Sequence, residues 1–177
     1  MSHEHPEHKE QKRMGMTMQA LAWLIFLALG VGFFSDVIEK RFNPNQDPTT
    51  YIAEDGVREV VLKRNRAGHY VTAGAINGEP VVFMLDTGAT GVALPAKIAD
   101  RLGITRGRAF PTQTANGIST SYATSLDSVS VGDIALTDVR AGITPGLNTD
   151  QVLLGMSFLK HIEFTQRGNT LILRQYP

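Results

Sequence analysis

The chain has 177 residues, of which 42% are hydrophobic, and this is enough for one small globular domain and one additional segment. Its 17 Lys and Arg residues balance its 17 Asp and Glu residues, and only 7% of the residues are aromatic. Nucleic acids are bound through excess cations and aromatic stacking, so this composition argues against a nucleic-acid partner. The absence of cysteine excludes disulfides, thiolate metal sites and cysteine nucleophiles.

An uncharged, apolar segment covers residues 14–35 and follows a polar tail, residues 1–13. A bilayer core of about 30 Å requires roughly 20 residues of helix, so this segment predicts a single transmembrane helix that is retained as a signal anchor. A cleaved signal peptide is the alternative, because Ala28 and Gly30 provide small residues for a cleavage site. Residues 36–56 contain two prolines and few apolar side chains in their second half, and they predict a flexible linker.

Charges on the two sides of the apolar segment predict its orientation. Lys9, Lys12 and Arg13 precede the segment, whereas only Lys40 and Arg41 follow it closely. By the positive-inside rule this bias places the N-terminus in the cytoplasm. We therefore expect a single-pass protein of the inner (cell) membrane, with the following domain on the periplasmic, outer side.

Residues 57–177 alternate short runs of Val, Ile, Thr and Leu with Gly, Pro and Asn, which is typical of a mostly β domain. Residues 69–76 and 80–85 flank Asn77-Gly78, and this pattern predicts a hairpin with a type I′ turn. The other predicted elements are a short helix between Pro95 and Gly103 and strands at residues 91–94, 119–131, 134–143, 151–154, 162–165 and 170–173.

The residues most suited to catalysis lie where an apolar strand meets a turn, in Phe83-Met-Leu-Asp-Thr-Gly-Ala89. A carboxylate at a strand end must be surrounded by hydrogen-bond donors, because burial without them is costly. Gly88 lets the backbone approach closely, so its N–H or that of Ala89 is expected to point at Asp86. A plain strand-to-turn junction is the alternative, since Asp and Gly are common turn residues.

The sequence Leu85-Asp-Thr-Gly-Ala-Thr90, followed by Val-Ala-Leu-Pro, resembles the active-site loop of the retropepsin-like aspartic proteases. Residues 152–159 resemble a later element of that fold, in which an apolar strand ends at a glycine and turns into a short helix. The resemblance covers residues 57–173 and is nearest to a membrane-anchored bacterial subfamily with one retroviral-type domain. It implies a mostly β, retropepsin-like closed β-barrel of the double-psi type at residues 57–177, with one or two short helices.

This resemblance implies a membrane-tethered aspartic endopeptidase that hydrolyses peptide bonds with a water activated by two carboxylates sharing one proton. The chain contains one Asp-Thr-Gly, at Asp86, whereas Asp127 is followed by Ser128 and Val129 and is a poor second copy. The implied enzyme is therefore a homodimer in which each protomer contributes Asp86. Its partners are a protein or peptide substrate and the membrane, and it needs no cofactor and no metal.

Further roles follow from the resemblance, residue by residue. Thr87 corresponds to the threonine that braces the two loops across the dimer axis, and Gly88 to the glycine of the tight loop. Ala89 matches the retroviral enzymes, which implies activity at mildly acidic to near-neutral pH. Gly155 is expected to be architectural, since it stands between a buried strand and a helix.

Residues 112–118 lie where the family places its flap, a hairpin that closes over bound substrate. Thr114, Ala115, Asn116 and Gly117 form the predicted tip and substrate contact, and Asn-Gly suits a tight hairpin turn. A solvent-exposed hairpin without a role is the alternative.

A protein of another class remains an alternative for the whole chain, namely a non-catalytic, membrane-anchored β module that binds extended protein segments by strand addition. The intact Asp86-Thr-Gly sequence favours the enzyme.

Overall fold

The computed structural model describes residues 6–114 and 117–177, and the chain divides into two compact units, Met1–Glu39 and Lys40–Pro177. Helix α1 extends over Pro6–Phe42, and its part from Gly15–Phe42 is long and apolar enough to span a membrane. Large apolar side chains of this part, such as Trp23 and Phe33, are more than half exposed. The helix contains the predicted span and continues beyond it into the predicted linker.

The second unit is built mainly from short strands. Its elements are β1 (Thr50–Ile52), β2 (Arg58–Lys63), β3 (Val71–Ile76), β4 (Glu79–Leu85), β5 (Val92–Pro95), α2 (Ala96–Arg101), β6 (Ala109–Thr114), β7 (Gly117–Val131), β8 (Ile134–Thr144), β9 (Val152–Leu154), α3 (Met156–Leu159), β10 (Glu163–Arg167) and β11 (Thr170–Gln175). The prediction of a mostly β domain with one or two short helices is confirmed, and the domain has two, α2 and α3. The strands β1, β2 and β6 were not predicted, and β6 contains Pro111, which an edge strand tolerates.

A seven-stranded sheet in the order β3-β4-β9-β5-β8-β7-β6 forms the larger layer, and β3 also pairs with β7. Six of its strands therefore pair in a closed circuit, with β6 attached outside it. The hairpin of β3 and β4 is confirmed, and Asn77 and Gly78 have φ values of 52° and 82°, as a type I′ turn requires. Two pairings, β4 with β9 and β5 with β8, are parallel.

A four-stranded sheet in the order β1-β2-β11-β10 covers part of the core. Val60 and Leu62 of β2 and Leu171 and Leu173 of β11 point inward and are buried, together with Phe83 from the larger sheet. Across the described residues, every buried large apolar side chain lies between Val57 and Leu173. The unit Lys40–Pro177 therefore contains a complete hydrophobic core of its own and is able to fold without the rest of α1.

The segment after α1 is part of the domain, in contrast to the flexible linker that was predicted over residues 36–56. Asn45 is buried; its Nδ2 donates to the carbonyl oxygens of Lys63 (2.9 Å) and Val71 (2.6 Å), and its Oδ1 accepts from the Lys63 N–H (2.7 Å). Its backbone carbonyl accepts from the N–H of Ala73 at 2.9 Å. These bonds join β2 to β3, and β1 then extends the smaller sheet. The composition of residues 36–56 gave no sign of these contacts, because the partners of Asn45 lie 18 and 26 positions away in the sequence.

Replacing Asn45 by alanine is expected to lower the free energy of unfolding by about 2 kcal/mol, because one buried and two partly buried backbone groups lose their partner. Asn148→Ala is the matched control, since Asn148 is exposed and its side chain has no hydrogen bond within the described residues. Urea denaturation of both variants measures the difference. Equal unfolding midpoints for the two variants would contradict this role of Asn45.

Candidate active site

The carboxylate predicted to be catalytic lies at the end of strand β4, between two neighbouring strands. The backbone N–H of Leu85 donates to the carbonyl oxygen of Tyr70 at 2.9 Å, and that of Asp86 donates to the carbonyl oxygen of Leu154 at 3.2 Å. Since β4 runs parallel to β9, both strands deliver their C-terminal ends to this point. The position of the Asp86 backbone is therefore determined by its neighbours on both sides.

A tight turn follows and orients the carboxylate. The Gly88 N–H donates to Oδ1 of Asp86 at 2.9 Å, and the Ala89 N–H donates to the carbonyl oxygen of Asp86 at 3.2 Å. This agrees with the expectation that a turn N–H points at the carboxylate. Within residues 6–114 and 117–177, no other hydrogen bond reaches the Asp86 carboxylate, so Oδ2 has no partner in this part of the chain. The Asp86 side chain is half-buried, whereas Thr87 is exposed.

Gly155 fits closely against the loop that carries Asp86. The Met156 N–H donates to the Ala89 carbonyl oxygen at 2.9 Å. A Cβ atom at Gly155 would lie 2.6 Å from that same oxygen and would also overlap the carbonyl of Gly91. Only a glycine permits this contact, which agrees with the architectural role expected for Gly155.

Ser157 is a contributor to the loop that sequence reasoning missed. Its hydroxyl oxygen accepts a hydrogen bond from the Val92 N–H at 2.9 Å, so the start of α3 binds the first residue of β5. The two residues are 65 positions apart in the chain. No local sequence pattern marks such a pair.

The predicted flap corresponds to the hairpin of β6 and β7, in which Thr114 pairs with Gly117. The tip residues Ala115 and Asn116 lie outside the described residues. Ile118, the next residue of β7, exposes 79% of its surface. The hairpin thus presents an apolar side chain to solvent beside its tip, as a substrate-covering segment requires.

The base of this hairpin packs against the connection between β8 and β9. The hydroxyls of Ser121 and Thr144 are buried and lie 3.0 Å apart in a hydrogen bond. A Cβ atom at Gly146 would lie 3.1 Å from the Ser119 hydroxyl, so the Ser119 side chain lies close to the backbone of Gly146. Thr144 also pairs with Pro95 at the end of β5, the strand that follows the Asp86 loop.

One surface groove of the described domain lies away from Asp86. It has a volume of about 450 Å³ and lies between the start of α2 and the β8–β9 connection, where Lys97 and Asp150 form an ion pair across 3.0 Å. The Asp86 loop does not line it, and Thr87 and Gly88 of this loop are exposed. Within the described residues, no three His, Asp or Glu side chains converge as metal ligands.

Comparison with known proteins agrees with this geometry. A family model described as gag-polyprotein putative aspartyl protease matches residues 72–161, half of the chain, and includes Asp86 and Gly155. The chain belongs to the retropepsin-like aspartyl protease family.

Relatives and a solved structure extend this assignment over the domain. The chain is 33% identical over 124 residues to an uncharacterized protein from the cobV 5′ region of a Sinorhizobium species, covering 68% of this chain and 53% of that protein. It is 30% identical over 123 residues to an uncharacterized protein of Rickettsia prowazekii, covering 68% and 52%. The chain thus spans about half the length of these relatives. The crystal structure of a retropepsin-like aspartic protease from Rickettsia conorii superposes with a TM-score of 0.57 at 27% identity, covering 73% of this chain and 96% of that one.

Proposed function

We propose that this protein is a membrane-tethered aspartic endopeptidase whose active site forms when two copies of Asp86 meet across a twofold homodimer. The observation that carries the proposal is the Asp86 turn, in which the Gly88 N–H donates to one carboxylate oxygen and the other oxygen has no hydrogen-bond partner within the described residues. The single Asp-Thr-Gly sequence supports a site that a second chain completes, because the proposed chemistry uses two carboxylates.

The proposed reaction is peptide-bond hydrolysis by two carboxylates that share one proton. The ionised carboxylate accepts a proton from a water as the water oxygen attacks the carbonyl carbon, while the protonated one donates to the carbonyl oxygen. When the resulting diol collapses, the carboxylate that is now ionised takes a proton from one diol hydroxyl, the other carboxyl group donates its proton to the leaving nitrogen, and the C–N bond breaks, which restores the single shared proton. The two Asp86 side chains supply every proton transfer in this scheme.

Neighbouring residues have supporting roles in this proposal. Thr87 is exposed next to Asp86, which suits a hydroxyl that braces the partner's loop across the axis. The hairpin with Thr114 and Gly117 near its tip serves as the flap, and Ile118 provides an apolar contact to an extended substrate. Gly88 and Ala89 form the turn of the loop, and Gly155 packs against the backbone of Ala89.

Incubation of the purified protein with a peptide library tests the activity. We expect cleavage at internal bonds, and we expect the specific activity of Lys40–Pro177 to fall on dilution because the dimer dissociates. The full chain in lipid should resist dilution, since confinement to a bilayer raises the effective concentration of protomers. Activity per chain that is independent of dilution in both forms would contradict the dimer. Peptide binding without any cleavage would favour the non-catalytic β module.

We further propose a single-pass location in the inner membrane with the domain on the outer side. Because the chain contains no cysteine, one introduced cysteine reports its side of the membrane without background. A thiol reagent that cannot cross membranes is expected to label Lys160→Cys in intact cells and Ser2→Cys only after lysis. The reverse labelling pattern would overturn the orientation.

A further inference from the structure

Three segments of the domain meet at the end of α1. The side-chain Nδ2 of Asn65, in the turn between β2 and β3, donates to the carbonyl oxygen of Phe42 at 3.0 Å. The backbone N–H of Arg64 donates to the carbonyl oxygen of Asn169, in the turn between β10 and β11, at 2.8 Å. The two turns and the last residue of α1 are therefore immediate neighbours.

These three segments carry an unusual concentration of unpaired positive charge. We call it the basic face, and it consists of Lys40, Arg41, Lys63, Arg64, Arg66 and Arg167. All six residues are exposed, and none forms an ion pair within the described part of the chain. Of the eight other cations of the domain, Lys97, Arg106 and Arg174 form ion pairs within the described residues and the other five do not.

Acidic residues are absent from residues 40–46, 60–78 and 164–175, while Glu39 directly precedes Lys40 and Asp47 directly follows the first of these segments. Glu59 and Glu163 lie four residues before Lys63 and Arg167 on β2 and β10, a separation of about 13 Å along a strand. Outside the basic face, residues 40–177 contain eight cations and twelve acidic residues. The domain is thus polarised, with its positive charge concentrated where α1 ends.

Lys40 and Arg41 of the basic face follow the apolar segment closely along the chain. Phe34 is the last residue of the uninterrupted apolar stretch, and α1 continues from it to Phe42. Phe42 follows this stretch by only eight residues. Such a short connection lets the cations of the basic face reach the headgroups, where attraction acts within a Debye length of about 8 Å at physiological ionic strength.

We infer that the basic face docks on anionic lipid headgroups and holds the domain in one orientation at the membrane surface. Clustered Lys and Arg next to a membrane helix match the negative surface of anionic bilayers in charge and in position. The inference goes beyond the proposed function and does not depend on peptide cleavage. If the proposed function also holds, docking keeps the Asp86 loop near the bilayer, since Leu85 binds Tyr70 directly after the β2–β3 turn.

Sedimentation of Lys40–Pro177 with lipid vesicles tests the docking without the apolar span. We expect binding to vesicles containing phosphatidylglycerol and none to pure phosphatidylcholine. A triple variant with Lys63→Gln, Arg66→Gln and Arg167→Gln is expected to bind on the order of a hundredfold more weakly. These three side chains form no hydrogen bonds in the described residues, so the fold should be unchanged by circular dichroism.

The matched control removes the same number of charges elsewhere, by Arg108→Gln, Arg140→Gln and Lys160→Gln, all of which are exposed. Retained vesicle binding in this control supports docking by the basic face. An equal loss in both triple variants, or equal binding to neutral vesicles, would overturn it. Tighter binding to a single-stranded oligonucleotide than to the anionic vesicles would also overturn it, in favour of a nucleic-acid site.

The full chain in lipid nanodiscs provides a second measurement. Backbone amides of residues 63–69 are expected to exchange hydrogen more slowly in anionic than in neutral nanodiscs, and the triple variant should lose the difference. Residues 132–138, in the region of the β7–β8 turn, serve as an internal reference that lipid charge should leave unaffected. Equal exchange in both lipids would contradict the docking even if the proposed protease activity is present.

Discussion

Replacing Asp86 by asparagine is expected to abolish peptide cleavage and to leave the fold intact. The asparagine carbonyl oxygen still accepts the hydrogen bond that the Gly88 N–H now donates to Oδ1 at 2.9 Å. An amide cannot share or transfer the proton, however, so the rate should fall by about a thousandfold or more. Cleavage of a peptide substrate and thermal unfolding measure the two effects separately.

Asp127→Asn is the matched control, because Asp127 is an exposed carboxylate on β7 whose side chain has no hydrogen bond within the described residues. It should retain full turnover. Mixing wild-type chains with an excess of Asp86→Asn chains should also suppress the wild-type activity, because most wild-type chains then pair with a chain that lacks the carboxylate. Full turnover by Asp86→Asn, or no suppression in the mixture, would rule out the proposed dyad.

Gly155→Ala is expected to cause the largest loss of stability, about 3 kcal/mol or more, which corresponds to a fall in Tm on the order of 10 °C. The new Cβ atom would lie 2.6 Å from the Ala89 carbonyl oxygen and would also overlap the Gly91 carbonyl. Both carbonyl groups belong to the backbone and cannot rotate away from the added methyl group. Relief requires the Asp86 loop to separate from α3. We therefore also expect cleavage to decrease more than the folded fraction does.

Gly91→Ala supplies the control within the same loop. A Cβ atom at Gly91 would have its nearest neighbour, the Ser157 hydroxyl, at 3.7 Å, which is an ordinary contact. Calorimetry of both variants separates close packing from a general effect of adding a methyl group to the loop. Similar Tm values for Gly155→Ala and Gly91→Ala would contradict the prediction, because they would show that the loop accommodates a methyl group at position 155 without a specific loss of stability.

Local signals in the sequence were sufficient for several elements. Asn77-Gly78 between apolar runs predicted the β3–β4 hairpin, because few residues other than Asn and Gly adopt two successive positive φ angles. Residues 119–131 and 134–143 predicted β7 and β8 with nearly the observed bounds. Each of these signals depends only on residues that are close together along the chain.

Elements that depend on distant partners were not predictable in this way. Asn45 was assigned to a linker, yet Lys63 and Val71 hold it inside the domain. Strand β1 has only three residues, and its pairing with β2 gives it structure. Ser157 looked like an ordinary helix residue, and its role depends on Val92.

The sequence by itself determined that this protein has an apolar helix, a mostly β domain and one carboxylate in an Asp-Thr-Gly turn of the retropepsin type. Only the tertiary structure decided that Gly155 closes on the Asp86 loop and that the basic face gathers at the end of α1. The physical reason is how far apart along the chain the interacting residues lie. Turn geometry and hydrophobic pattern act between neighbouring residues, whereas close backbone contacts and summed charge depend on which distant segments the fold brings together.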